Sequence, residues 1–172
     1  AKQKAAALNA EPDMLKRQAM LPELFGRVGR NCIVLAGLVV DVGFLVEMGD
    51  NSFINCNVTL LDTYPIVIGS RVLIGPNCGL YPVGHPLEAG RRTYRSPDGE
   101  VRGTTSGAPI VIEDGAWLGG HVVVLPGVRI GARSVIGAGS VVTKSIPADV
   151  FAAGNPCRVI RAIDNSRFAP PD

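Results

Sequence analysis

Aliphatic residues recur at intervals of six along much of this chain of 172 residues. In the segment "GVRIGARSVIGAGSVVTKSIP" (127–147), Ile130, Ile136 and Val142 keep that interval, and glycine directly follows the first two. An α-helix repeats about every 3.6 residues and a β-strand about every 2, so neither produces this pattern. A repeat of six residues instead indicates a unit made of one short strand and one corner.

The period holds over two long runs of aliphatic residues. The second run contains Ile112, Leu118, Val124, Ile130, Ile136 and Val142. The first run contains Val42, Met48, Ile54, Leu60 and Ile66, and after a shift of two residues near Tyr64–Pro65 it resumes with Ile68, Ile74 and Leu80. The fifth position of the repeat is small or β-branched, with Val46, Ser52, Val58, Val72, Ala116, Val122, Val128, Ser134 and Ser140. An ordinary β-sandwich with accidental spacing would not keep this phase for so long.

Three such units close a triangular coil of about 18 residues, and coils stacked about 4.8 Å apart pair strand on strand in parallel. The aliphatic side chains then fall on top of one another inside the prism, and the fifth-position side chains fill its corners. Glycine fits where a Cβ would collide with the next coil or where φ must be positive. The sequence therefore predicts a parallel β-helix.

The flanks of the repeat divide the chain into three predicted parts. Residues 1–30 have a helical pattern, in which Pro12 and Pro22 each suit a first helical turn and Gly29 suits a helix end. The β-helix is predicted over 31–147, and it is interrupted by a polar Gly- and Pro-rich loop at 82–109. Residues 148–172 leave the period and are predicted to cap the open end of the prism and to form a tail.

Composition excludes several functional classes. The net charge is only +2, so nothing favours nucleic acid or an anionic membrane surface as a partner. The most apolar stretch, 32–50, contains Asp41, Glu47 and Asp50, so it is too polar to span a bilayer. The four cysteines are scattered and form no metal-ligand pair. We therefore expect a soluble protein with free thiols in a reducing cytoplasm and with no bound metal.

The chain contains two histidines. His85, in "GHPLE", opens the polar loop, and Pro86 holds the backbone before it in an extended shape that can project the imidazole from the prism. His121, in "WLGGHVVV", lies in the second run, close after Trp117. From the residues alone, each histidine fits a solvated or structural position as well as a functional one, and Trp117 fits packing at a corner.

Five motifs carry a resemblance to a known family: "GDNSFINCNVTLLD" (49–62), "GHPLE" (84–88), "APIVIEDGAWLGGHVVVLPGVRIG" (108–131), "VIGAGSVVTKSIP" (135–147) and "AAGNPCRVIR" (152–161). With these motifs the chain resembles the hexapeptide-repeat acyltransferases, and within them the galactoside and maltose O-acetyltransferases, over roughly residues 5–163. The resemblance implies a left-handed parallel β-helix, which is an exception to the right-handed rule for parallel crossovers. It also implies a homotrimer whose active sites lie between subunits.

The resemblance further implies roles for individual residues. His85 matches the general base that takes the proton from an acceptor hydroxyl as its oxygen attacks the thioester of acetyl-CoA. Gly120 matches a position whose backbone N–H lies near the thioester. Residues matching the acceptor contacts are Asp41, Asn55 and Asp62. Residues matching the coenzyme A contacts are Gly120, Ala138, Thr143, Lys144, Arg158 and Arg161.

The chain departs from the family pattern on the acceptor side. Ala36–Gly37 stands where a Pro–Pro pair usually precedes Asp41, and Thr104–Thr105 stands near the position of a glutamate that lies beside the histidine. Glu100, within the loop, is a candidate replacement for that glutamate.

Three other functions stay open. The acceptor can be a non-sugar molecule such as an amino acid or an antibiotic, or the β-helix can be a non-catalytic scaffold. A zinc carbonic-anhydrase site needs three histidines, which two per chain supply poorly.

Overall fold

The structure, a computed structural model, describes residues 1–166. It begins with two helices, α1 (Lys2–Ala10) and α2 (Met14–Leu24). The carboxylate of Asp13 caps α2, because it accepts hydrogen bonds from the first free N–H groups of the helix. Pro22 lies inside α2 rather than at the start of a further helix ending at Gly29, so that prediction is wrong.

Short β-strands make up most of the remaining structure. The first block contains β1 (Arg27–Val28), β2 (Ile33–Val34), β3 (Val39–Val40), β4 (Val46–Met48), β5 (Phe53–Ile54), β6 (Thr59–Leu60), β7 (Ile66–Ile68), β8 (Leu73–Ile74) and β9 (Gly79–Leu80). An arm follows, with β10 (Val83–Gly84), the 3-10 turn η1 (Ala89–Arg91), β11 (Thr93–Arg95), β12 (Val101–Gly103) and β13 (Ser106–Gly107). The second block contains β14 (Ile110–Ile112), β15 (Trp117–Leu118), β16 (Val123–Val124), β17 (Arg129–Ile130), β18 (Val135–Ile136), β19 (Val141–Val142), β20 (Val150–Ala153) and β21 (Arg158–Ala162).

The strands form the three faces of a prism. Face A contains β1, β4, β7, β14 and β17, and face C contains β3, β6, β9, β16 and β19. Face B contains β2, β5, β8, β15, β18 and β20, with β21 at its end. Strands within a face pair in parallel, and among residues 1–166 only β21, which is antiparallel to β20, departs from this in the three faces. The chain thus passes A, B and C in turn, as a parallel β-helix does.

The coils of the two blocks differ in length. In the first block, Phe53 pairs with both Ile33 and Leu73, so each of these coils takes 20 residues. In the second block, Trp117 pairs with Val135, and the coil takes 18. The two extra residues lie between the face-C strand and the end of the next face-A strand, because Met48 is eight residues after Val40 whereas Ile130 is six residues after Val124. The phase shift that the sequence shows once therefore occurs in each of these coils.

The core is a set of stacked aliphatic side chains. Ile54, Ile74, Leu118 and Ile136 follow one another down face B and are at most 1% exposed. All the fifth-position residues that were predicted to fill the corners are likewise buried. Val42 is an exception, because it lies half-buried at a corner while Val40 packs in the core.

Glycine and positive φ occupy different positions of the corner. A Cβ on Gly49 would lie 2.6 Å from the backbone carbon of Gly69 in the next coil, so only glycine permits that approach. The positive φ comes two residues later, at Asn51 (56°), and Arg71 (55°) repeats this one coil further along after Gly69. The corner therefore needs glycine for space and, at a separate position, a residue that tolerates the left-handed region.

Both ends of the prism are covered. The guanidinium of Arg17 on α2 is buried and donates hydrogen bonds to the carbonyl groups of Leu8, Glu11 and Val34, which joins the helices to the first coil. That coil already begins with β1, ahead of the predicted boundary at residue 31. At the other end β20 extends face B and β21 folds back on it. The part of the predicted tail at 167–172 lies outside the described residues.

The segment 82–109 is not an irregular loop. β10 pairs with β13 and β11 pairs with β12, both antiparallel, so the segment forms a nested hairpin that projects from the prism. All side chains of β11 and β12 are exposed. Since neither strand buries an apolar side, the sequence carries no alternating pattern that would have predicted them.

Candidate functional site

Two edges of face C hold the residues that the sequence points to. We call the corner between faces B and C the BC edge; it follows each face-B strand and includes Asn55, Gly120 and Ala138. We call the corner between faces C and A the CA edge; it follows each face-C strand and includes Asp41, Asp62 and the base of the arm that carries His85. Six residues separate Asn55 from Leu61 across the face, which at about 3.3 Å per residue is at most roughly 20 Å.

A cavity of about 330 Å³ opens at the CA edge beside His85. Its walls combine aliphatic groups with one carboxylate, one imidazole and two hydroxyl groups, from Asp41, Leu61, Thr63, Val83, Gly84, His85 and Thr105. Such a lining suits a small polar molecule, since a few polar groups can orient it while the apolar groups exclude water. Thr63 and Thr105 were not singled out in the sequence, because nothing local distinguishes them from other surface threonines.

The imidazole of His85 is oriented by a backbone carbonyl. Its Nδ1 lies 2.8 Å from the carbonyl oxygen of Thr104. A carbonyl oxygen can only accept, so the proton of the neutral ring sits on Nδ1 and the lone pair is left on Nε2. The ring is exposed, so Nε2 is open to a reactant in the adjacent cavity. This is the tautomer that a general base requires.

Glu100 does not replace the missing glutamate beside His85. It lies in the turn of the β11–β12 hairpin, where its backbone N–H donates to Asp98 and its backbone carbonyl accepts from Ser96. Four residues along the hairpin separate it from Thr104, or about 13 Å at 3.3 Å per residue. The resemblance implies a glutamate near Thr104–Thr105, and here the backbone of Thr104, not a side chain, meets the histidine.

Asp41 and Asp62, both predicted to contact the acceptor, have different environments. Asp41 lines the cavity. Asp62 is 0% exposed, and its carboxylate accepts hydrogen bonds from the N–H groups of Asp41 (2.9 Å), Val42 (3.0 Å) and Gly43 (2.5 Å). In this chain the carboxylate of Asp62 shapes the turn that presents Asp41, and it is not among the residues that line the cavity, so its contact with the acceptor stays a prediction.

Asn55 lies on the BC edge, on the other side of face C from His85. Its side-chain oxygen accepts a hydrogen bond of 2.7 Å from the N–H of Cys56. Within one chain, Asn55 therefore does not line the cavity that Asp41 lines, although both residues were predicted to contact the acceptor.

Gly120 and Ala138 lie above one another on the BC edge. The N–H of Gly139 donates to the carbonyl of Gly120 at 2.9 Å, and a Cβ on Gly119 would lie 2.7 Å from the nitrogen of Ala138. Among the hydrogen bonds of residues 1–166, none uses the N–H of Gly120 as donor. This N–H is therefore free to donate to a ligand at the BC edge.

The remaining predicted coenzyme A residues are divided between the edges. Arg158 starts β21 opposite Ala153, close to the BC edge, and Arg161 lies further along β21 with its guanidinium carbon 5.8 Å from the ring centre of Phe151. Thr143 and Lys144 follow β19 and so lie on the CA edge. One chain alone does not gather these residues into one pocket.

The other aromatic and sulfur groups near the edges are structural in this chain. Trp117 points outward from face B, half exposed between Leu73 and Val135, so its predicted place at a corner is wrong. Burial raises the pKa of the thiols of Cys32, Cys78 and Cys157, which keeps them protonated and unreactive at neutral pH.

The described residues contain neither a metal-binding cluster nor a membrane-spanning helix. Within 1–166, no group of three His, Cys, Asp or Glu side chains is close enough to hold a metal ion. No helix in that part of the chain combines the length and the apolar character that crossing a bilayer requires.

Comparisons with known proteins agree with this architecture. A family model described as "Bacterial transferase hexapeptide (six repeats)" matches residues 109–144, and "Hexapeptide repeat of succinyl-transferase" matches residues 65–90. The galactoside O-acetyltransferase of Escherichia coli is 43% identical over 150 residues, which cover 87% of this chain and 70% of that protein.

Solved structures give the same result. A hexapeptide-repeat acetyltransferase of Vibrio cholerae, complexed with acetyl coenzyme A, is 40% identical with a TM-score of 0.86 and covers 95% of this chain and 85% of its own. A maltose O-acetyltransferase of Clostridium difficile is 37% identical with a TM-score of 0.80, over 95% of this chain and 84% of its own. The chain belongs to the hexapeptide-repeat acetyltransferases, and the predicted fold class, a left-handed parallel β-helix, is confirmed.

Proposed function

We propose that this protein transfers the acetyl group of acetyl-CoA to a hydroxyl group of a small acceptor, and that the acceptor is a sugar. One observation carries the proposal: His85 holds its proton on Nδ1 against the Thr104 carbonyl and turns Nε2 to a cavity lined by hydroxyl and carboxylate groups. The names of the relatives, galactoside and maltose O-acetyltransferases, support the sugar acceptor.

The reaction needs only one proton carrier. Nε2 of His85 takes the proton of the acceptor hydroxyl while its oxygen bonds to the thioester carbonyl carbon. The carbon–sulfur bond then breaks, and the sulfur of coenzyme A leaves with the proton that the imidazolium returns. The raised pKa values of the buried thiols of Cys78 and Cys157 argue against an acyl-enzyme on either of them, since a thiolate is the nucleophilic form.

The oxyanion that forms on the thioester carbon needs a fixed donor. The N–H of Gly120 fits this role, because it donates to no protein acceptor among the described residues. It lies on the BC edge, however, whereas His85 lies on the CA edge of the same chain. A complete site thus requires the CA edge of one chain to meet the BC edge of another.

Three copies arranged around an axis meet this requirement, and we propose a homotrimer. Contacts between unlike edges are heterologous, and they close into a ring when the rotation is that of a threefold axis. Face C, which joins the two edges, would then turn toward the axis. Its outward side chains are uncharged, as expected of the core of an interface: Val39, Thr59, Val123 and Val141. Face A, in contrast, carries Arg27, Glu47 and Arg129.

The same arrangement gathers the residues that match coenzyme A contacts. Lys144 on the CA edge would face Arg158 and Arg161 near the neighbour's BC edge, and these cations suit the phosphate groups of the coenzyme. Gly120, Ala138 and Thr143 would meet its pantetheine arm through backbone groups. Asn55 would likewise reach the acceptor from the neighbouring chain, beside Asp41. The use of acetyl-CoA and the four free cysteines together favour the cytoplasm as the site of action.

The test is release of free coenzyme A from acetyl-CoA with a panel of acceptors: galactosides, maltose, amino acids and antibiotics. With a sugar, His85→Ala should reduce kcat by about 10²–10⁴ and leave coenzyme A binding intact, because only the proton transfer is lost. His121→Asn is the matched control, since asparagine already occupies the equivalent corner positions Asn57 and Asn77 with positive φ.

Other results would reject the proposal in defined ways. If only an amino acid or an antibiotic is acetylated, the proposed mechanism stands and the proposed sugar acceptor is rejected. No acceptor-dependent release with the wild type would favour a non-catalytic scaffold. If His85→Ala retained wild-type turnover, the proposed role of His85 as general base would be rejected.

A further inference from the structure

We propose that Arg92 is a positioning residue for His85 and takes the place of the carboxylate that the chain lacks beside its histidine. This inference rests on the proposed role of His85 as general base. It concerns the base of the arm, where the segment 85–88 leaves the prism and residue 104 returns to it.

The guanidinium of Arg92 holds two successive carbonyl groups. Its Nε donates to the carbonyl of Pro86 at 3.0 Å, and one terminal nitrogen donates to the carbonyl of Leu87 at 2.8 Å. The planar guanidinium presents both donors in a fixed geometry, so the two carbonyls directly after His85 are fixed relative to each other.

The backbone of Arg92 completes a closed circuit of hydrogen bonds. Its carbonyl accepts from the N–H of Thr104 at 2.7 Å, and the carbonyl of Thr104 accepts from Nδ1 of His85 at 2.8 Å. Arg92 is therefore bonded to both segments that flank the imidazole: through its side chain to the segment that follows His85, and through its backbone to the residue that orients the ring.

Apart from the backbone pairing of β10 with β13 and of β11 with β12, little holds this part of the arm. Leu87 is 91% exposed, and Tyr94 and Val101 are more than half exposed, so apolar burial contributes little to the geometry around His85. The neighbouring Arg91 is also exposed, and its nitrogen lies 3.6 Å from the carboxylate of Glu88, away from the circuit. Two adjacent arginines of the same exposure thus differ in whether they hold the histidine segment.

Arg92→Ala should lower kcat about 10- to 100-fold, because misplacing a reacting group by about 1 Å can cost up to 10²-fold. KM for acetyl-CoA should change less than about 2-fold, since the Arg92 side chain contacts none of the residues proposed to bind the coenzyme. Arg92→Lys should recover part of kcat, because an ammonium can reach one of the two carbonyls but cannot span both. Arg91→Ala is the matched control and should retain wild-type kinetics.

A second measurement is independent of activity. ¹⁵N NMR of histidine-labelled protein in the His121→Asn background reports on His85 alone, because the chain has two histidines. We expect the wild-type ring to show a predominantly Nδ1-protonated tautomer, and Arg92→Ala to show a mixture of tautomers.

Three outcomes would overturn the inference: a kcat of Arg92→Ala within 2-fold of the wild type, an equal loss in Arg91→Ala, or an unchanged tautomer in Arg92→Ala. These results are distinguishable from failure of the proposed function. Full activity of His85→Ala would reject the general base, while the NMR signal would still show whether Arg92 orients the ring.

Discussion

At the scale of single residues, Asp62 illustrates how a residue predicted to contact the substrate can also hold a turn of the backbone. Its carboxylate satisfies three consecutive N–H groups in a turn, and no water reaches it, since the residue is 0% exposed. Hydrogen bonds to a charged acceptor contribute about 1.5–3 kcal/mol each, and leaving a buried donor unsatisfied costs about 1–3 kcal/mol.

Asp62→Ala should therefore lower the free energy of unfolding by roughly 2–4 kcal/mol, which is less than a sum over three bonds because contributions in one network are not additive. Asp41→Ala, one coil earlier at the cavity wall, should leave stability within about 0.5 kcal/mol and raise KM for the acceptor. Urea unfolding and acceptor kinetics measure the two effects. Equal stability of the two variants would mean that Asp62 does not hold the turn.

The sequence could place both aspartates at corners but could not separate their roles. A short acidic side chain after a buried strand suits a solvent-facing corner as well as a buried turn. The difference depends on the extra residues of the first coils, which move the turn 41–43 over Asp62. The hydrogen bond between His85 and the Thr104 carbonyl could not be predicted from the sequence either, because every residue type carries a backbone carbonyl.

At the scale of the elements, the distance between coils decides which substitutions the prism accepts. The Cα of Gly49 faces the backbone of Gly69 and Ser70, where a Cβ would lie 2.6 Å from main-chain atoms. Main-chain atoms in a paired sheet cannot shift one at a time, because hydrogen bonds hold them to the neighbouring strands. A side chain at position 49 would therefore force the two coils apart locally. A Cβ on Gly90, in the arm, would have no heavy atom of a non-adjacent residue within 4 Å among residues 1–166.

Gly49→Ala should accordingly lower the free energy of unfolding by about 1–3 kcal/mol, the usual range for overpacking. Gly90→Ala should be neutral within about 0.5 kcal/mol or slightly stabilising, because alanine restricts the unfolded chain. Thermal unfolding followed by circular dichroism compares the two variants. If Gly49→Ala melted with the wild type, the tight stacking of these coils would be refuted.

The elements were predictable in proportion to the apolar surface that they bury. The period of six identified the core strands β4 to β9 and β14 to β19, including the run from Ile112 to Val142, but it missed the core residues Val40 of β3 and Ala152 of β20. The arm was expected to be irregular, because β11 and β12 expose all their side chains and only backbone hydrogen bonds define them. Helix α2 was misplaced for a related reason: Pro22 suggests a helix start, yet the helix is fixed by the buried contacts of Arg17.

At the scale of the whole molecule, neither edge of one chain is a complete site. In the proposed site the CA edge supplies a base and a polar cavity, and the BC edge supplies a free N–H and the positions for the coenzyme. Under this proposal, assembly into a ring is a condition for activity. It predicts that a change on face C, at a residue with no proposed role in the site, abolishes turnover by separating the subunits.

Val123 is the best residue for this test. It is a half-buried outward valine on β16, in register between Gly79 and Val141 near the middle of face C. In Val123→Asp a carboxylate would have to be buried against the neighbouring chains without a partner, which is strongly unfavourable. We expect the mass in solution to fall from three chains to one and acceptor-dependent release of coenzyme A to disappear, while the circular dichroism spectrum of the β-helix persists.

Val111→Asp is the matched control, because Val111 is a half-buried outward valine on face A and lies in register with Arg129. The two variants carry the same change in side chain and the same loss of β propensity, so they differ only in the face that is altered. Val111→Asp should remain trimeric and active. An active Val123→Asp monomer would mean that one chain completes the site alone, and it would reject the shared site, whereas loss of the trimer in both variants would place the interface on both faces.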